Sequence, residues 1–172
     1  MEERLILKMG HPLLHCKSLE VDVFNTNELD ATIRMLNETQ DAYQGAGIAA
    51  PQLGINARIL CCGGETARYS QSIGTKRLVM VNPELTVTTD ELVSGWEGCL
   101  SVPGLRGLVL RYKSVSYRAR DAMGNIIEGE VSGFLARVLQ HECDHLNGVL
   151  FPERIKNFKH FSFEESLTEE VI

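Results

Sequence analysis

With 172 residues, 23 acidic against 17 basic side chains and a formal net charge of −6, the chain can bury its own core and is too acidic for a nucleic-acid backbone to be its main partner. Its five cysteines are an odd number without framework spacing, which fits a reducing compartment and excludes a disulfide scaffold. The apolar run nearest the start, Leu5-Ile6-Leu7, is far too short for a signal sequence or a membrane span, and the expectation is one domain over 1–172.

Residues 28–43 read as an amphipathic helix, with Leu29, Ile33 and Leu36 on one side and Thr26 or Asn27 as its cap. Next comes Gly45-Ala46-Gly47-Ile48-Ala49-Ala50-Pro51-Gln52-Leu53-Gly54. It lacks the Lys-Ser/Thr of a P-loop, and no strand precedes it, so a nucleotide site is disfavoured. Its glycines can leave an extended backbone open to a peptide-like ligand, and Gln52 offers an uncharged donor. Residues 58–62 and 77–82 are short apolar runs, and 84–91 is rich in Thr and Val, so all three read as strands. Residues 63–75 between them read as a surface loop.

Trp96-Glu97-Gly98-Cys99-Leu100-Ser101-Val102-Pro103-Gly104 is bounded by glycines and a proline, which predicts a turn or bulge, with Trp96 anchoring it in the core. Residues 108–119 alternate, and Asp121 to Asn125 form a turn into 126–131, giving a hairpin. From Phe134 the pattern becomes helical and contains Gln140-His141-Glu142-Cys143-Asp144-His145, an HExxH motif; Asn147-Gly148 supplies the stop. At about 100° per residue, Phe134, Val138, His141 and His145 share one stripe, widened by Leu135, Leu139 and Leu146. Arg137, Gln140, Asp144 and Asn147 gather on the opposite, polar side, with Asp144 expected to pair with Arg111 or Arg118. Glu142 points into the apolar sector, where an unpartnered carboxylate costs on the order of several kcal/mol.

Two imidazoles four residues apart on a helix can grip one metal ion, although two core histidines bonded to backbone would leave the same pattern. An open site needs a third ligand. Phe151 stands where a third histidine of the HExxHxxGxxH type would be. Glu164 or Glu165 would have to be carried back past Pro152, which leaves Cys99 as the better candidate. A Cys-His-His set is soft enough for zinc or ferrous iron and unattractive to magnesium or calcium. Cys16, Cys61, Cys62 and Cys143 have no such context and read as small buried hydrophobes. The architecture these elements build is α+β, with antiparallel or mixed sheets packed around a central helix that carries HExxH.

Together, residues 45–54, 97–101 and 140–146 resemble the three signature segments of the peptide deformylases, GxGxAAPQ, EGCLS and QHExDH, and the resemblance covers most of 5–155. It implies removal of the N-formyl group from the initiator methionine of nascent polypeptides, with release of formate. It further implies that Cys99, His141 and His145 hold one divalent ion, ferrous iron in the cell, with zinc, nickel or cobalt able to replace it. Water on that ion would be the nucleophile and Glu142 the general acid and base, while the Gln52 amide and the Leu100 N–H would stabilise the oxyanion. Backbone from Gly45 through Ala46 to Gly47 would pair with the peptide, beside Gly98. Methionine would enter a pocket near Gly45, Gly47, Phe134 and Val138, with Glu97 and Arg106 as polar walls.

The missing transit peptide favours a bacterial cytoplasm, with no membrane and no direct nucleic-acid role. Where many members end in a basic helix thought to contact the ribosome, residues 163–172 contain Glu164, Glu165, Glu169 and Glu170, so docking through this tail is not expected. Ser162 with Glu165 suggests a short helix there. Two rivals remain: a peptidase with Glu164 or Glu165 as third ligand, and a closed four-ligand metal module.

Overall fold

Residues 6–64 and 76–167 are described by the structure, a computed structural model; the loop expected over 63–75 lies almost wholly outside them. Helix α1, Asn27–Ala42, starts where expected, because Thr26 accepts a hydrogen bond from the Leu29 N–H at 3.1 Å. Its Leu29 and Leu36 are buried against Ile48, Ile59, Cys61 and Val81. Strands β1 (Gly47–Ala49), β2 (Ile59–Gly63) and β3 (Arg77–Val87) follow, then β4 (Leu92–Cys99), β5 (Val102–Tyr112), β6 (Ser114–Arg120) and β7 (Ile126–Ser132). Helix α2 is Gly133–Leu146 and β8 is Phe161–Phe163. They form an antiparallel five-stranded sheet in the order β1-β2-β3-β6-β7 and an antiparallel three-stranded sheet, β4-β5-β8.

Several boundaries differ from the sequence reading, and the turn expected over 96–104 narrows to Leu100 and Ser101 between β4 and β5. Residues 77–82 and 84–91 are separate runs in sequence, but the chain carries β3 through Pro83 at a register shift between Val81 and Glu84. Asn82 takes a left-handed φ of 51° there, and its amide bonds both backbone groups of Val21 at 2.9 Å each, so the bulge absorbs the proline. The alternating run 108–119 breaks at Lys113, where the chain leaves the three-stranded sheet and enters the five-stranded one. The tail forms β8, paired with Leu105 to Gly107 of β5, then a single turn of 3-10 helix at Glu164–Ser166 in place of the expected helix start.

Helix α2 lies between the two sheets and is buried on nearly all sides. Ala136, Leu139, Cys143 and Leu146 pack with Leu60, Cys62, Met80 and Val115 of the five-stranded sheet. The side expected to be solvated is also buried: Arg137 and Asp144 are 9% and 6% exposed. They face β4 and β5, because Arg137 donates to the carbonyls of Val93 and Val109 at 2.6 and 2.9 Å. Among the described residues no helix is long and apolar enough to cross a membrane.

Candidate active site

The end of β4, the helix α2 and the turn after β1 converge on one point. Cys99 closes β4 at a register shift next to Glu97, as the glycines around it foretold. Its Sγ lies 3.2 Å from His145 Nε2, and one donor atom each from Cys99, His141 and His145 fall within 4.8 Å of one another. Among the described residues no other His, Cys, Asp or Glu group gathers in this way. Glu164 lies elsewhere, donor-bonded by Arg106 at 2.6 Å.

Glu97 is not a wall of the substrate pocket, as the sequence suggested. It is 5% exposed and stands behind His141, accepting from Nδ1 at 2.9 Å. A carboxylate can only accept, so Nδ1 carries the proton and Nε2 is left to face the site. Arg111 grips both Glu97 oxygens at 2.9 and 3.0 Å, and Arg137 adds a third bond at 2.8 Å. Arg111 also binds Asp144 at 2.5 Å, as one of the two expected pairs required, while Arg118 pairs with Glu128. Arg154 completes the chain on Asp144 at 2.6 Å. Burial would raise the Glu97 carboxyl, but the bonds from His141 and Arg111 outweigh it and hold the group well below the usual carboxylate range. Phe151, in the expected third-histidine position, stacks on His141 with ring centroids 6.2 Å apart.

The cysteines divide on the same logic. Burial pushes the thiols of Cys61 and Cys143 up to about 12 and that of Cys62 well above its ordinary value. Cys99 is only half-buried, and the neighbouring imidazoles of His145 and His141 overcome its desolvation and hold it well below. A thiolate and two imidazoles are a donor set for one soft divalent ion, and three protein ligands leave a position open. The buried Glu142 Oε2 has no hydrogen-bond partner among the described residues, as expected of a carboxylate that serves a water or a substrate. Burial raises this carboxyl to about 7, with His141 and His145 pulling it back.

Gln52 reaches the same point from the other side. Its Oε1 accepts from the Ala49 N–H at 2.9 Å, which turns Nε2 toward Cys99 Sγ at 3.5 Å and Ser101 Oγ at 3.2 Å. Gly47 presses on the site: a Cβ there would stand 2.7 Å from Glu142 Oε1 and 2.9 Å from Val138. Gly45 lies against the Leu100 side chain, 3.6 Å from where its own Cβ would be. Gly98 lies under Arg106, whose guanidinium a Cβ would meet at 2.4 Å. Phe134 and Ala46 pack on the core beside the five-stranded sheet.

The profile of the family described as polypeptide deformylase matches residues 3–161. This chain belongs to that family. Peptide deformylase 1 of Nitrosomonas europaea is 45% identical over 94% of this chain and 93% of its own length. Peptide deformylase 2 of Ralstonia nicotianae is 44% identical over 98% and 96%. The Met-Ala-Ser-bound crystal structure of the class I type b peptide deformylase from Acinetobacter baumannii matches with a TM-score of 0.83 at 38% identity, over 87% of this chain and 96% of that one. The deformylase of Thermotoga maritima gives 0.80 at 35%, over 88% and 97%. Deformylases are metal-dependent enzymes that remove the N-formyl group from nascent polypeptides, and the α+β fold of this chain is theirs.

Sequence reasoning missed the support around the candidate ligands: the grip of Arg111 on Glu97, the buried Arg137, the Ser101 hydroxyl and the Phe151 ring. The signal for Arg111 was its register, since it follows Gly107 and Val109 on the inward face of an alternating strand.

Proposed function

We propose that this chain hydrolyses the formamide of formyl-methionyl peptides in the bacterial cytoplasm, with one ferrous ion held by Cys99, His141 and His145. The observation that supports it most is the thiolate and two imidazoles within 4.8 Å of one another, beside a buried carboxylate oxygen that no described residue satisfies. An ion bound there supplies a Lewis acid that acidifies water and polarises the formyl oxygen. Glu142 takes the proton of the attacking water and returns it to the leaving amine, a role its raised carboxyl near neutrality suits. The Gln52 amide and the Leu100 N–H donate to the oxyanion; Ala49 fixes the orientation of the first, and the turn after Cys99 fixes that of the second.

The peptide adds as a strand to β1. That strand is the edge of its sheet, and the Gly63 N–H already takes the Ala46 carbonyl at 3.0 Å. By the alternation of an antiparallel ladder, the backbone groups of Gly47 then face the open side. The methionine side chain occupies the space near Gly45, Gly47, Phe134 and Val138, with Arg106 over Gly98 at its border.

The test is formate release from a formyl-Met tripeptide, by wild-type protein with its metal retained and by Glu142→Ala. Glu142→Ala should keep its metal and lose about 100 to 10,000-fold in rate. A fully metallated wild-type protein that releases no formate would overturn the assignment.

A further inference from the structure

We propose that Gln40 is a positioning residue for the peptide: its carboxamide locks the glycine segment that leads into the open edge of β1. The inference rests on the reading of that edge as the peptide's partner. Gln40 lies in the last turn of α1 and is 0% exposed. Its Nε2 donates to the Gly45 carbonyl at 3.1 Å and to the Gly63 carbonyl at 2.8 Å. Its own backbone carbonyl accepts from the Gly45 N–H at 2.9 Å, while the Gly63 N–H holds the Ala46 carbonyl at 3.0 Å. One side chain thus ties α1, the lead-in to β1 and the last residue of β2 into a closed circuit. The Oε1 of the same amide is buried and has no partner among the described residues. The side chain serves through its two N–H donors.

The segment needs such a clamp. Gly45 and Gly47 have the widest backbone freedom of any residues, and an edge strand receives no ladder from its outer side. Where this segment sits decides where a paired peptide sits, because Gly45 abuts Leu100 and Gly47 abuts Glu142. The reacting groups are anchored independently of Gln40: His141 by Glu97, and Gln52 by Ala49 and Ser101. Loss of the clamp should therefore weaken peptide binding and leave the chemistry intact.

Two substitutions separate donors from volume. Gln40→Glu keeps the shape and replaces the donors with carboxylate oxygens; Gln40→Met keeps the reach and removes all hydrogen bonding. In both, KM for a formyl-Met tripeptide should rise about tenfold, the scale of one lost net hydrogen bond, with kcat within about twofold and metal content unchanged. KM for formyl-methionine alone, which lacks the backbone to pair with β1, should move less. Amide exchange at Gly45 and Gly47 should quicken while that of α2 stays as in the wild type. Unchanged KM and unchanged exchange at β1 in Gln40→Met would overturn the proposal. A fall in kcat together with metal loss would overturn it too, making Gln40 a general support of the metal site. Should Gln40→Glu fail to fold, Gln40→Met decides alone. If the wild-type protein itself releases no formate, the deformylase assignment fails separately, and the exchange rates still decide whether Gln40 clamps the segment.

Discussion

Toward the five-stranded sheet, α2 presents Ala136, Leu139, Cys143 and Leu146 to an apolar cluster; toward the three-stranded sheet it presents Arg137, His141 and Asp144, buried almost as deeply among charges. Apolar contact is non-directional and scales with area, so the first side holds the helix in place without fixing any one atom. The second side is directional. Both oxygens of Glu97 and both of Asp144 are bonded, and the end of that chain of bonds is the Nδ1 of a candidate metal ligand. One side supplies stability, and the other spends part of it to set the angle of one imidazole.

The sharpest way to break this contrast is Arg111→Met. Removal of one partner leaves Glu97 and Asp144 short of a cation in the interior, and breaking such a pair costs about 3–5 kcal/mol. Urea unfolding should show that loss, and the metal affinity of the folded protein should fall with it. Leu139→Ala on the apolar side should cost about 2–5 kcal/mol in the same unfolding assay, yet leave the kcat/KM of the folded enzyme where it was. Comparable losses of activity in the two variants would erase the distinction. Glu97→Gln acts on the imidazole directly: a carboxamide has one acceptor oxygen for His141 and two arginines, and metal affinity measured by competition with a chelator should drop about 10 to 100-fold. No drop would remove Glu97 from the site.

The sequence brought out the three candidate ligands because they come in dense local patterns. His141 and His145 are one helical turn apart, and Cys99 stands among glycines. It carried the charged side of α2 only as far as its polarity, since helical periodicity sorts polar from apolar and cannot tell water from a second sheet as the neighbour of Arg137 and Asp144. Glu97 went to the wrong role for a related reason. It stands two residues before Cys99, across a register shift, and its carboxylate turns to Arg111, Arg137 and His141, partners that lie far away in sequence. Pro83 and Lys113 show the limit for strands. A bulge let β3 run through the proline, and one residue within an unbroken alternation marked the passage between sheets.

Strand β1 is three residues long, Gly47–Ala49, and Gln52 has already claimed the Ala49 N–H. A peptide that pairs along such a stub gains few main-chain bonds, so the grip on the backbone is weak whatever the sequence being processed. If the peptide pairs there as proposed, that shortness favours a brief stay of the trimmed chain, and one molecule would serve many different polypeptides in succession.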